Sequence, residues 1–395
     1  MIYIHIPYCR SFCTYCDFYS EVASRCSTFG GYAEALSAEI AARSEEIRKN
    51  VSNPSGVDTL YVGGGTPSVL PLHVFESVLD SLGRAGCKGP FREFTVEVNP
   101  EDIVEKGHSY VEGLLRLGVN RISMGVQSFD DAILKWMNRR HDSARAVQAY
   151  SILEECGVEN ISIDLIFGLP QLSSDDWKRG LDRALGISPS GRPPRHISSY
   201  QLSVEEGSAL AALLAKGKWE EASDQVCAQQ YESLCAALRD AGYHHYEISN
   251  FAQPGYEAVH NSAYWRHEPY VGLGPGAHSC HSEHGKDLLT SPAGRYVRQW
   301  NESDLGAYIE AGKMGDFAKV CGGEVLTEEQ VVLEKVMLGL RTSEGLPEVF
   351  LMDHCDTAAL AQALSCGNLN RLPQGRIRIP ENRFFVSDNI ISSLV

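Results

Sequence analysis

The chain has 395 residues and a formal charge of −16, from 35 Lys and Arg against 51 Asp and Glu. Its length suits roughly two or three domains, and its charge repels nucleic-acid phosphates, which excludes a global nucleic-acid binder. The opening MIYIHIPYCR has only a short apolar run and no basic flank, so it fits neither a secretory signal nor a transmembrane span and points to the cytoplasm. Transient contact with a membrane would leave no such mark.

In chain order, short β-branched runs at 2–7, 57–62, 94–98, 121–126, 161–166 and 197–202 predict six strands. Helical segments separate them. Leu36, Ile40 and Ile47 recur at near-helical spacing, and Gly118 and Gly157 stand where two later helices should stop. Connections of this length imply βαβ crossovers and a parallel sheet. Strands apolar at most positions imply cover on both faces. The predicted fold class is therefore α/β, a six-unit (βα)6 partial TIM-type barrel, with a doubly wound open sheet as the alternative. In either architecture ligand chemistry gathers at the carboxyl ends of the strands.

Beyond Leu202 the pattern changes. Residues 219–241 predict one long helix, a strand is expected around 246–251, and a Gly/Pro-rich stretch ends at His278. Residues 287–321 lack clear periodicity, whereas 327–340 predict an amphipathic helix with Val332, Val336 and Leu340 on one line. With RIRI and the closing RFFVSDNIISSLV, this divides the chain into a barrel at 1–202, an α+β extension at 203–285, and a linker with a small C-terminal helix-plus-strand domain at 286–395.

Three of the twelve cysteines crowd into Cys9-x3-Cys13-x2-Cys16, directly after the first predicted strand. Scattered thiols without a secretory signal favour a reduced compartment and a metal site over disulfides. Three thiolates on one short loop suit three corners of a [4Fe–4S] cubane and leave one iron open. That iron can chelate the amino and carboxylate groups of S-adenosylmethionine. The alternatives are a zinc site with His5 as fourth ligand, or buried cysteines without metal. Zinc usually draws a second ligand pair from a distant knuckle, and no second CxxC or HxxxH occurs.

Tyr61-Val-Gly-Gly-Gly-Thr-Pro-Ser68 follows the second strand. Consecutive glycines let backbone approach a ligand and offer N–H groups to a carboxylate, although a glycine turn into a helix begun by Pro71 reads the same way. Glu97, Gln127 and Asp164 close otherwise apolar strands. Such groups need partners, supplied by a ligand rich in hydroxyls and amines or by a buried structural network. Arg139, twelve residues past Gln127, suits either a ligand carboxylate or solvent.

The segment HIPYCRSFCTYCDF resembles the cluster loop of the radical S-adenosylmethionine superfamily, in which the aromatic residue before the third cysteine, here Tyr15, lies against the adenine. From Tyr3 to about Ser279 the chain is similar to the branch that holds the oxygen-independent coproporphyrinogen III oxidases and the HemW-type heme chaperones. This resemblance implies cluster ligation by Cys9, Cys13 and Cys16, and S-adenosylmethionine contacts from Tyr3, Gly64, Gly65, Thr66, Glu97, Gln127, Arg139 and Asp164. Two departures point to the chaperones. Phe18 stands where the oxidases have a fourth cysteine, and only eight residues precede Cys9. His260-Asn-Ser-Ala-Tyr-Trp265 resembles the chaperones' HNxxYW signature, which makes His260 the candidate heme ligand against the alternative of a hydrogen-bonding or turn residue. The implied function is to bind a cluster, S-adenosylmethionine and heme and to deliver heme to apo-hemoproteins, with an electron donor for the cluster. Oxidative decarboxylation of coproporphyrinogen III to protoporphyrinogen IX is the alternative.

Overall fold

The computed structural model describes residues 1–23, 29–51, 58–282 and 296–395. The β-branched and aromatic runs become six strands: β1 Ile2–Ile6, β2 Thr59–Gly64, β3 Glu93–Val98, β4 Arg121–Gln127, β5 Ile161–Phe167 and β6 His196–Gln201. They pair in sequence order, each parallel to the next. Helices α1 Phe29–Ala42, α2 Leu72–Arg84, α3 Pro100–Arg116, α4 Ser143–Glu155 and α5 Ser174–Leu185 lie in the crossovers. Residue 57, the expected start of the second strand, lies outside the described residues.

Strand alternation separates a core face from a polar one. In β4, Ile122, Met124 and Val126 are buried in the apolar core, while Arg121, Ser123, Gly125 and Gln127 line one cavity. A period of two thus lets a strand that looks continuously apolar carry a polar row.

The sheet continues past β6 into Asn250–Ala252, antiparallel to it, and then His244–Glu247; at the other edge Val271–Leu273 runs parallel to β1. The single strand expected around 246–251 is therefore two, paired antiparallel. The helix expected over 219–241 begins only at Asp224, because Ser223 caps it by accepting the Val226 N–H at 3.4 Å. Trp219 is instead buried, stacked on Trp136 with ring centroids 6.0 Å apart. Helix Glu328–Gly339 fits the expectation and opens with a capping box between Thr327 and Gln330.

Of the stretch 287–321, residues 287–295 and the expected boundary at 285/286 lie outside the described residues. The rest holds strand Tyr296–Asn301 and helix Leu305–Met314. This helix is marked by its ends more than by an apolar stripe: Asp304 accepts the Ala307 N–H at 2.8 Å and Gly315 closes it with φ 67°. Farther on, Leu346–Pro347, Arg376–Arg378 and Asn370–Leu372 form a small antiparallel sheet beside helices Glu348–His354 and Thr357–Ser365. No helix among the described residues is long and apolar enough to cross a membrane.

A buried carboxylate fastens the later segments to α1. Glu39 accepts the Gly274 N–H at 2.9 Å, Asn301 Nδ2 at 2.9 Å and the Tyr308 hydroxyl at 2.6 Å, and it pairs with Arg43 at 3.0 Å. Together these donors compensate one charge held away from water. Next to it, helix Leu305–Met314 packs so tightly on α1 that a Cβ at Gly312 would lie 2.5 Å from the Ala35 Cα. Gly312→Val is expected to lower the unfolding free energy by about 1–3 kcal/mol in urea denaturation. Gly180→Ala, in the middle of α5 with no described atom near its missing Cβ, should instead stabilise by roughly 0.5–1 kcal/mol. An unchanged midpoint for Gly312→Val would contradict the close helix contact.

Candidate functional site

Beyond β1 the chain turns at once into the cysteine loop. Four backbone ties clamp it: Thr14 N–H to Met137 O (3.1 Å), Asn138 Nδ2 to Phe12 O (2.7 Å), Leu210 N–H to Thr14 O (2.8 Å) and Thr66 N–H to Tyr8 O (2.7 Å). Cys9, Cys13 and Cys16 line one cavity of about 570 Å³. Burial pushes the Cys9 thiol up and the Cys16 thiol up to about 12, so metal binding there must release protons.

Arg139 supplies a cation beside these thiols. Its Nη1 lies 3.3 Å from Cys13 Sγ, and its Nη2 donates to Asn99 Oδ1 at 2.7 Å and Gly125 O at 2.8 Å. Three of its five donors are used in this way, leaving two for a ligand. His5, in contrast, has both ring nitrogens engaged: Nδ1 lies 3.0 Å from the Tyr3 hydroxyl and Nε2 2.8 Å from Tyr19 O. That removes the zinc site that needs His5 as a ligand. Among the described residues no three His, Cys, Asp or Glu side chains converge on a single ion. A cubane, whose thiolates bind separate irons, does not require such convergence.

The glycine turn after β2 serves a purpose other than the one expected from its sequence. Its N–H groups are used within the protein: Gly64 N–H donates to Glu97 Oε2 at 3.2 Å and Gly65 N–H to Ile6 O at 2.8 Å. Gly64 has φ 106°, and a Cβ at Gly65 would lie 2.7 Å from Tyr8 O. Glycine is needed because the turn must press against the cysteine loop. Thr66 then provides a polar atom at the site, with Oγ1 3.3 Å from Cys9 Sγ and accepting from Asn99 Nδ2 at 3.3 Å.

Deeper in the cavity, Tyr61 donates its hydroxyl to Glu97 Oε1 at 2.7 Å, yet burial pushes this carboxyl up to about 7. Burial also raises Asp164, against the Ser123 hydroxyl that donates to it at 3.2 Å. Gln127 has φ 67° where the β4–β5 register shifts. A left-handed non-glycine residue at a strand end is costly and is found mostly at functional sites.

The cavity therefore brings together Tyr15, Gly64, Gly65, Thr66, Glu97, Gln127, Arg139, Asp164 and the three cysteines. Two expected residues lie elsewhere. Tyr3 is not in the cavity wall: its hydroxyl is held by His5, its ring sits 6.1 Å from that of Tyr61, and Tyr61 takes the wall position. His260 is a packed histidine, with Nδ1 2.8 Å from Thr59 Oγ1 and Nε2 3.2 Å from the Tyr264 hydroxyl, and burial lowers its pKa to about 3. Neither nitrogen is free for heme iron in this arrangement, and the next residue, Asn261, lines the cavity instead. Asn99, Arg121, Ser123, Ser198 and Tyr200 also belong to the wall without having been expected there. For Arg121 and Ser123, their period-two spacing with Gln127 was the available signal.

The family model of the Radical SAM superfamily matches residues 3–184. Heme chaperone HemW of Synechocystis sp. is 34% identical over 349 residues, spanning 87% of this chain and 78% of that protein. HemW of Lactococcus lactis is 33% identical, spanning 87% and 82%. The mitochondrial radical S-adenosyl methionine domain-containing protein 1 of Danio rerio is 31% identical, spanning 97% and 82%. In three dimensions, the chain is similar to coproporphyrinogen III oxidase (HemN) from Escherichia coli, with a TM-score of 0.76 over 99% of this chain and 89% of that one; at 21% identity this is a likeness of fold.

The raised carboxyl of Glu97 has a measurable consequence. An acid whose pKa rises on folding, here from 4.5 to about 7, contributes stability that is fully present below the unfolded value and is lost as pH climbs through the folded one. In ligand-free protein, thermal melts across that window should fall less steeply for Glu97→Gln than for wild type. Glu247, also buried and pushed up to about 7, keeps its own share of the slope. Parallel profiles for the two proteins would mean that Glu97 is ionised throughout.

Proposed function

The chain belongs to the HemW family of radical S-adenosylmethionine proteins, and from that premise we propose that it binds a [4Fe–4S] cluster, S-adenosylmethionine and heme, and delivers heme to apo-hemoproteins. The observation that carries the cofactor reading is the meeting of Cys9, Cys13 and Cys16 with Glu97, Gln127 and Asp164 in one cavity. The heme reading is supported by the HemW relatives and by Phe18, exposed at that cavity where the oxidases would have a cysteine.

The donor set fits both groups. Three soft thiols on one clamped loop, beside the Arg139 guanidinium, suit a cubane. Two carboxyls and an amide below them suit the hydroxyls and amine of S-adenosylmethionine. When bound and reduced, the cluster supplies the electron that cleaves the C–S bond of S-adenosylmethionine. In this reading Arg139 offsets thiolate charge at Cys13, and the Thr66 hydroxyl donates toward Cys9, both of which tune the cluster. Glu97, Gln127 and Asp164 orient S-adenosylmethionine, the backbone at Gly64 and Gly65 sets the edge of its seat, and Tyr15 offers its ring to the adenine.

The six βα units over 1–202 would form the incomplete barrel, followed by the extension at 203–285 and the C-terminal unit at 286–395. All the described cysteines are free thiols, which supports the reducing cytoplasm, and an electron donor must serve the cluster. As His260 is packed, it is not assigned to heme.

Anaerobically reconstituted protein is expected to carry about four irons per chain, and Cys13→Ser to lose most of them. Heme added to the reconstituted protein should give a saturable Soret change, and the loaded protein should pass its heme to an apo-hemoprotein. No saturable change, or conversion of coproporphyrinogen III to protoporphyrinogen IX, would overturn the chaperone reading.

A further inference from the structure

Arg121, the first residue of β4, is only 1% exposed and ranks first by volume among the fully buried side chains. Among the described residues its guanidinium makes no hydrogen bond and has no carboxylate within ion-pair distance, and its Nε is a buried donor without a partner. Arginine cannot shed its proton, and a buried charge without a partner is costly. The carboxylates whose field it feels are engaged elsewhere. Glu93 accepts the Val259 N–H at 2.7 Å and the His260 N–H at 3.0 Å, and Asp164 accepts from Ser123 at 3.2 Å. Arg121 nonetheless lines the cavity, together with Ser123, Ser198 and Asn261.

A planar fork of N–H donors matches a carboxylate in bidentate fashion, and the Asn261 amide in the same wall can add a donor. We infer that Arg121 anchors a carboxylate-binding subsite in the cavity, separate from the S-adenosylmethionine contacts. Two sources carry this chemistry, a free small carboxylate and a propionate arm of heme.

The test compares reconstituted wild type with Arg121→Gln and Arg121→Lys, using sodium propionate, heme and heme dimethyl ester as probes and S-adenosylmethionine binding as a control. Propionate should raise the melting temperature of wild type, raise that of the Lys variant less, and leave the Gln variant unmoved. S-adenosylmethionine binding should persist in all three. If heme is the source, wild type should prefer heme to its ester by roughly ten- to a hundred-fold and the Gln variant should lose that preference. If the source is a free carboxylate, heme and ester bind alike while the propionate shift persists. A Gln variant that responds to propionate as wild type does, or that loses S-adenosylmethionine, would overturn the subsite. Failure of wild type to bind heme, with the propionate shift intact, would sink the heme reading alone.

Discussion

Two backbone hydrogen bonds, Gly65 N–H to Ile6 O at 2.8 Å and Thr66 N–H to Tyr8 O at 2.7 Å, carry the geometry of the whole site. They run sideways from the end of one parallel strand to the exit of its neighbour, at and just past the last pair of the ladder, Ile6 and Gly64. Because Gly65 has no side chain, the two exits lie in contact, and the cysteine loop begins from a fixed point. The Thr66 hydroxyl comes to Cys9 by the same contact. The far side of the loop is held by Met137 and Asn138, so Arg139, next in the chain, is delivered to Cys13. A single short turn thus sets where the thiols and their counter-charge stand.

Under that wall, charges of both signs are kept away from bulk water. Glu97 and Asp164 hold their protons more tightly than free carboxyls, since burial outweighs the donors Tyr61 and Ser123. Arg121 and Arg139 stay charged. In a low-dielectric cavity a buried donor without a hydrogen bond, such as Arg121 Nε, costs free energy until a partner arrives, which favours a filled state over an empty one. The polar row on β4 is the sheet's means of placing these groups without disturbing the apolar face behind it.

What the sequence makes legible here is what depends on nearby residues. A cysteine triplet within eight positions, or one polar residue closing an apolar run, needs no distant partner to be read. The misplacements share the opposite property. Tyr3 and His5 lie two residues apart on one strand, and nothing local distinguishes bonding to each other from facing a ligand. His260 is held by Thr59, 201 residues away. Arg121, at a strand's first position, is picked out only by its period-two spacing with Gln127, and Asn99 before Pro100 reads only as the start of a helix. Strand Val271–Leu273 has three residues in a glycine-rich stretch, and its partner β1 is the first strand of the chain, far away in sequence.

Glu39 also determines how the chain can be divided. A fragment ending near residue 202 would keep this buried carboxylate and lose the Gly274, Asn301 and Tyr308 donors that compensate it. It would at the same time strip β1 of Val271–Leu273 and open a row of unpaired backbone groups to other chains. The half that carries the cysteine loop is therefore not a portable module. Recombination can trade its loops, but a transplant of that half must bring along the late edge strand and the three donors, or it will arrive sticky and underfolded.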